Sequence, residues 1–247
     1  SRQMEVRSGA FGVSPRYGRD GKIGGWQGSA ELVLENIAPT VLTFESSTVD
    51  GAYKAGSVIN LSAVTSETVR AGAQIQVTLN TGATVLLTAD AQGTRLSGNY
   101  TVAEGQNTAD LTVNSFTLGS GAGMPTDLAG NAMTSLVVPN NLALTRAIVI
   151  DTLAPVTPVL TVNDNSNPVQ GLVAANGFTN DTTPTLSVVA ESGSVVTVFE
   201  SGSFVGNAQE TAAGVFTFTP TLAQGSYVYT VTATDAAGNS SSSLASA

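Results

Sequence analysis

The sequence predicts an all-β protein built from tandem sandwiches, on three observations. Two stretches are near-copies: LVLENIAPTV at 32–41 and IVIDTLAPVT at 148–157, each an apolar run, a carboxylate, a small spacer and Ala-Pro. A second pair is TDLAGN at 126–131 and TDAAGN at 234–239. Ala38 and Ala154 are 116 residues apart and Thr126 and Thr234 are 108 apart, so the repeat is one domain long rather than one supersecondary unit long. Between these marks apolar and polar residues alternate with the period of half-buried strands. The composition agrees: 247 residues with 26 Gly, 42% hydrophobic and 11% charged residues, the profile of a turn-rich β protein with enough apolar content for real cores.

The elements follow in order. Residues 1–36 form a Gly-rich arm ending in an apolar run, Leu32-Val33-Leu34. Residues 37–151 form the first sandwich, with strands expected at 41–47, 58–64, 74–79, 84–88, 99–102, 109–116 and 147–150. Turn dipeptides separate them: Asp50-Gly51, Ala55-Gly56, Thr81-Gly82, Gln92-Gly93 and Glu104-Gly105. Residues 152–247 form the second sandwich, with strands at 156–162, 185–190, 195–199, 215–218 and 227–234. Strand starts at short, regular spacing with no helical period indicate a β-sandwich. Val162-Asn163-Asp164-Asn165 has the look of a calcium loop but reads better as a polar turn, and Asn180-Asp181 reads as the start of a strand.

Charge and missing residue types exclude several functions. There is no Cys, which removes disulfides, thiolate zinc sites and cysteine nucleophiles. There is no His, the commonest general base and transition-metal ligand. Net charge is −9, yet Arg2, Arg7, Arg16, Arg19 and Lys22 crowd the first 22 positions. No Lys or Arg follows Arg146, whereas Asp151, Asp164, Asp181, Glu191, Glu200, Glu210 and Asp235 do. That half is not expected to bind nucleic acid. Its acidity is either a solubilising surface or, in part, a site for a hard cation. No run is long and apolar enough for a membrane helix, so membrane insertion is not expected. The stretch after Ser1 has no basic-apolar export pattern, which places any export signal outside it.

The stretches 49–56 (VDGAYKAG), 151–155 (DTLAP), 180–184 (NDTTP) and 234–239 (TDAAGN) resemble the bacterial immunoglobulin-like repeats of giant surface adhesins and other extracellular polyproteins. The resemblance covers roughly residues 37–247. It implies two tandem immunoglobulin-like β-sandwiches, an extracellular or cell-surface location, and calcium ions at domain junctions that stiffen the string.

In an immunoglobulin-like sandwich the start of the first strand and the B–C and F–G loops share one pole. Asp151, the turn 191–194 and the loop 235–239 would then meet, placing Asp151, Glu191, Asp235 and Asn239 around one calcium ion. Calcium takes six to eight oxygens, so backbone carbonyls and water would complete the shell. Glu35, Glu67, Asp127 and Asn131 form the matching set in the first sandwich. The alternative is turn chemistry alone, with Asp capping backbone N–H groups and Gly or Asn taking positive φ.

The ends do not match a simple two-domain cut. Aligning the Ala-Pro pairs makes Leu32, Val33 and Leu34 an orphan last strand, while residues 240–247 are too short and polar to supply a full apolar one. Either the sequence is an excerpt of a longer polypeptide, or Leu32-Val33-Leu34 is an assembly strand that completes the second sandwich of a neighbouring identical subunit. The arm, with Phe11, Tyr17 and Trp26, would dock on an acidic neighbour, pack on its own domain or belong to a preceding one.

No catalytic set emerges. Serines have no activating His or Ser-x-x-Lys partner, and Gly24-Gly25 does not form a phosphate loop before a helix. The expectation is a non-catalytic structural or adhesive spacer stiffened by calcium, contacting neighbouring domains or identical subunits. A self-assembling filament subunit joined by donor strands is one alternative. The other is a virion or cell-surface module that binds a glycan or protein.

Overall fold

The computed structural model describes residues 34–244. Residues 34–37 belong to a unit that ends at Ile37, and a second unit runs from Ala38 onward. The expected arm, with Leu32 and Val33, lies outside the described residues; Leu34 is described and exposed.

From Ala38 onward the described residues form β-strands joined by turns and two short 3-10 segments, Gly121–Gly123 and Leu142–Leu144, the all-β class expected. The first sandwich contains β1 (Val41–Glu45), β2 (Gly51–Tyr53), β3 (Val58–Val69), β4 (Gln74–Leu79), β5 (Thr84–Thr88), β6 (Gly93–Thr101), β7 (Val113–Leu118) and β8 (Ile148–Ile150). Six of them follow the order β1-β3-β6-β5-β4-β7, and β2 pairs in parallel with β8. Period-2 alternation explains the core: Ile59, Leu61 and Ala63 of β3 and Ile75, Val77 and Leu79 of β4 all turn inward. Phe44 and Phe116 meet edge-to-face at 5.7 Å across it. The ribbon folds over between β5 and β6, which share one register pair, Thr88↔Ser97. Gly98 sits against the Leu86 carbonyl there, and a Cβ would collide with it, so glycine permits the close approach.

The second sandwich contains β9 (Val159–Asp164), β10 (Gly171–Val173), β11 (Thr185–Val189), β12 (Val195–Glu200), β13 (Ser203–Ala212), β14 (Val215–Phe218), β15 (Tyr229–Thr234) and β16 (Ser240–Ser242). Its order is β10-β9-β11-β14-β13-β12-β15-β16. The long β13 pairs first with β12 and then with β14, passing from one face to the other. Its core is smaller and separate: Leu186, Val188, Ala190, Val196, Val198, Phe216, Tyr229, Val231 and Ala233. Tyr227 stacks on Tyr229 at 6.4 Å.

The structure corrects several expected elements. Val162–Asp164 is the end of β9, not a turn, because β10 and β11 both pair with it. Asn180-Asp181 does not begin a strand; β11 starts at Thr185. Asp181 is instead buried, accepting the N–H groups of Asn165 and Thr183 at 2.7 and 2.8 Å. β3 and β6 run longer than expected. β2, β10, β13 and β16 carry no alternating apolar signal that would reveal them.

Asp181 and Glu210 act as loop staples. The N–H groups of Asn165 and Thr183 hold the Asp181 carboxyl below its usual pKa against an opposing effect of burial. The Gly214 N–H and the Ser192 hydroxyl do the same for Glu210. A depressed folded-state pKa stabilises the fold above the unfolded-state pKa, and that stability is lost as pH falls through the folded value. Melting of the second sandwich is therefore expected to drop as pH falls below about 4. Asp181→Asn should flatten that dependence, as calorimetry across pH would check.

Candidate junction site

The segment after β8 ties the two sandwiches together residue by residue. The Asp151 N–H donates to the Tyr53 carbonyl of β2 at 3.0 Å. The Thr152 N–H donates to Asn107 Oδ1 at 2.8 Å, and the Gly105 N–H donates to Thr152 Oγ1 at 3.1 Å. These bonds anchor the linker to the first sandwich. From the second, Asn239 Nδ2 donates to the Asp151 carbonyl at 3.0 Å and Ser241 Oγ donates to the Val156 carbonyl at 3.1 Å. Asp151 thus has its amide in one sandwich and its carbonyl held by the other. Its carboxylate accepts the Leu153 N–H at 3.0 Å, fixing the chain direction as it leaves β8.

The loop 235–239 is a self-supporting turn. The Asp235 N–H bonds the Asn239 carbonyl at 3.0 Å, and the Gly238 N–H bonds the Asp235 carbonyl at 3.2 Å. Asp235 Oδ1 accepts the Asn239 N–H at 2.9 Å, and Oδ2 accepts Asn239 Nδ2 at 2.9 Å. Gly238 takes φ +88°, which only glycine adopts freely. The loop 127–131 repeats this: Asp127 Oδ1 accepts the N–H groups of Gly130 and Asn131 at 2.6 and 2.7 Å, and Oδ2 accepts Asn131 Nδ2 at 2.7 Å. Gly130 takes φ +96°. The Asp-x-Ala-Gly-Asn repeat is therefore good turn chemistry in both sandwiches, whatever else it binds. Asp127 is buried, so Asp127→Ala, which strands two backbone N–H groups, is expected to cost about 2–4 kcal/mol. Chemical denaturation of the first sandwich would measure it.

Of the residues singled out from sequence, Asp151, Asp235 and Asn239 are brought together, with the Asn239 amide between the other two. Glu191 is exposed in the turn 191–194, and among the described residues Asp151, Glu191 and Asp235 do not form a group with carboxylate oxygens all within 4.8 Å of one another. In the first sandwich Glu67 and Asp127 bring carboxylate oxygens within 4.8 Å. Glu35 lies in the separately described segment, where its carboxylate accepts the Ile37 N–H at 2.6 Å.

Two groups at this pole were not anticipated. Ser194 Oγ is buried and has no hydrogen-bond partner among the described residues. It sits one position before Val195, which pairs with Thr234, the residue before Asp235, so the hydroxyl lies at the end of the ladder that presents the loop. Lys54, from the turn after β2, reaches across and donates to the Gly238 carbonyl at 2.9 Å. Only the sequence stretch 49–56 hinted at it, as part of a motif rather than as a contact.

Among the described residues no helix is long and apolar enough to cross a membrane. A comparison with curated proteins finds no match. A comparison with protein families finds that residues 152–246 match the family described as bacterial Ig-like domain, the kind of repeat that the sequence resembles.

Proposed function

We propose that this chain is a non-catalytic extracellular spacer of a surface adhesin, in which two immunoglobulin-like sandwiches are held in line by the segment around Asp151. The observation that carries the reading is the double attachment of Asp151: amide to Tyr53 of the first sandwich, carbonyl to Asn239 of the second. A linker bonded on both sides loses hinge freedom, which is what a spacer needs and what a flexible tether lacks. The partners are neighbouring domains of the same kind or identical subunits.

Calcium is the proposed junction cation. The Asp151 carbonyl and Asp235 Oδ2 face a common donor, the Asn239 NH2. Rotating that amide presents its oxygen instead and leaves a point ringed by hard oxygen ligands. The buried, unpartnered Ser194 hydroxyl at the same pole fits an oxygen-lined cation site. Asp151 and Glu191 would add carboxylate charge. In the first sandwich the proposed ligands are Glu67, Asp127 and Asn131; Glu35 remains an assignment by its alignment with Asp151.

The test is calorimetry in calcium and in chelator. Calcium at a hundredfold its Kd should raise stability by about 2.7 kcal/mol, and Asp235→Ala should abolish the gain for the second sandwich. Identical melting in calcium and chelator would remove calcium from the account.

A further inference from the structure

The turn between β3 and β4 and the turn between β11 and β12 are built alike. Ala73 N–H bonds the Arg70 carbonyl at 3.2 Å, and Ser194 N–H bonds the Glu191 carbonyl at 3.2 Å. Each has glycine third, Gly72 at φ +83° and Gly193 at φ +81°, and each leads at once into a strand, from Gln74 and from Val195. The counterpart of Glu191 is therefore Arg70 rather than Glu67, which lies within β3. Arg70 Nε donates to the Asp127 carbonyl at 3.0 Å and Nη2 to the Leu128 carbonyl at 3.1 Å. A guanidinium thus caps the outward carbonyls of the first loop from inside its own sandwich.

The second sandwich has a carboxylate at that position and no Lys or Arg anywhere after Arg146. A carboxylate cannot donate to carbonyls. The loop's Gly238 carbonyl is met by Lys54 of the first sandwich. The described basic residues are Lys54, Arg70, Arg95 and Arg146. Arg95 bonds Glu45 and Ser62, and Arg146 bonds the Ser46 carbonyl. These three arginines serve the first sandwich, and Lys54 is the described cation that reaches the second.

We propose that each Asp-x-Ala-Gly-Asn loop takes a side-chain cation on its carbonyls, that the first sandwich supplies its own in Arg70, and that the second borrows Lys54. Lys54 is then an electrostatic latch between the sandwiches, set against a domain that has six carboxylates from Asp164 to Asp235 and no cation of its own. The turn after β2 is the docking surface, and its partner is an acidic sandwich whose B–C turn lacks a basic residue. The inference deepens the spacer reading and rests on it.

The test uses the whole chain. It has no cysteine, so Gln76→Cys and Gln209→Cys, exposed on β4 and β13, accept one spin label on each sandwich. Lys54→Met should broaden the inter-label distance distribution about twofold and lower melting of the second sandwich by several degrees. Lys54→Arg should restore both. Adding Glu191→Arg to Lys54→Met should restore melting, by giving the loop its own cation, and leave the distances broad. Unchanged melting and unchanged distances in Lys54→Met would overturn the latch. A broad distribution with Lys54 intact would overturn the stiff spacer, and the melting measurements would still decide whether the loop depends on its cation.

Discussion

Replacing Asn239 by leucine is expected to loosen the junction more than any other single polar change. One amide nitrogen serves the Asp151 carbonyl and Asp235 Oδ2. Leucine is similar in size but cannot donate, so two partly buried acceptors lose their partner. A buried acceptor without its donor costs about 1–3 kcal/mol, and the two together about 2–4 kcal/mol. The backbone N–H to Asp235 Oδ1 survives, so the turn itself should persist. The loss falls on the bond between sandwiches, and spin-label distances should broaden while far-ultraviolet circular dichroism stays unchanged. Asn131→Leu in the first sandwich is the control, because its amide bonds Asp127 within the same turn and the inter-sandwich distances should hold. Equal broadening in both variants would show that the amide acts on the fold rather than on the junction.

The largest stability effect is expected at Phe216. It is 2% exposed and is the bulkiest wholly apolar side chain in a core of nine buried residues. Phe→Ala in a packed core costs about 3–5 kcal/mol, a large share of the stability of a domain this small. The first sandwich has its own, larger core around Phe44 and Phe116. Phe216→Ala should therefore remove or strongly lower one calorimetric transition and leave the other in place. A single transition that shifts as a whole would mean that the sandwiches unfold as one unit, so that the junction couples them more strongly than separate cores imply.

How much of this was legible in the sequence depends on the signal each feature leaves. Strands that bury alternate residues announce themselves: β4, β5 and β14 run as their alternation predicts. β13 does not, because it is an edge-crossing strand with mostly exposed positions and a glycine and asparagine in mid-run. β16 is three serines, held by backbone pairing with β15 and hydroxyl bonds from Thr232 and Thr234, with no apolar side chain to mark it. β2 looks like turn chemistry in the sequence, since Asp50-Gly51 is a turn dipeptide and its pairing is with β8, nearly a hundred residues on.

The junction was half legible. Repetition singled out Asp151, Asp235 and Asn239, and they do meet. Reading the first sandwich by its carboxylates chose Glu67 as the counterpart of Glu191, whereas backbone bonds and the positive-φ glycines equate Glu191 with Arg70. The glycine spacing in Arg70-Ala-Gly-Ala and Glu191-Ser-Gly-Ser held that information. Lys54 could not be found this way: its acceptor is 184 residues distant, and only the packing of one sandwich against the next brings them together.

In the proposed spacer, two sandwiches with separate cores behave as one stiff body. Backbone nitrogen relaxation in solution tests it most directly. A stiff spacer should give one rotational correlation time for residues 41–150 and 159–242, of the size expected for the whole. Two shorter times, one for each sandwich, would mean that the bonds at Asp151 do not hold the junction, and the spacer reading would fall.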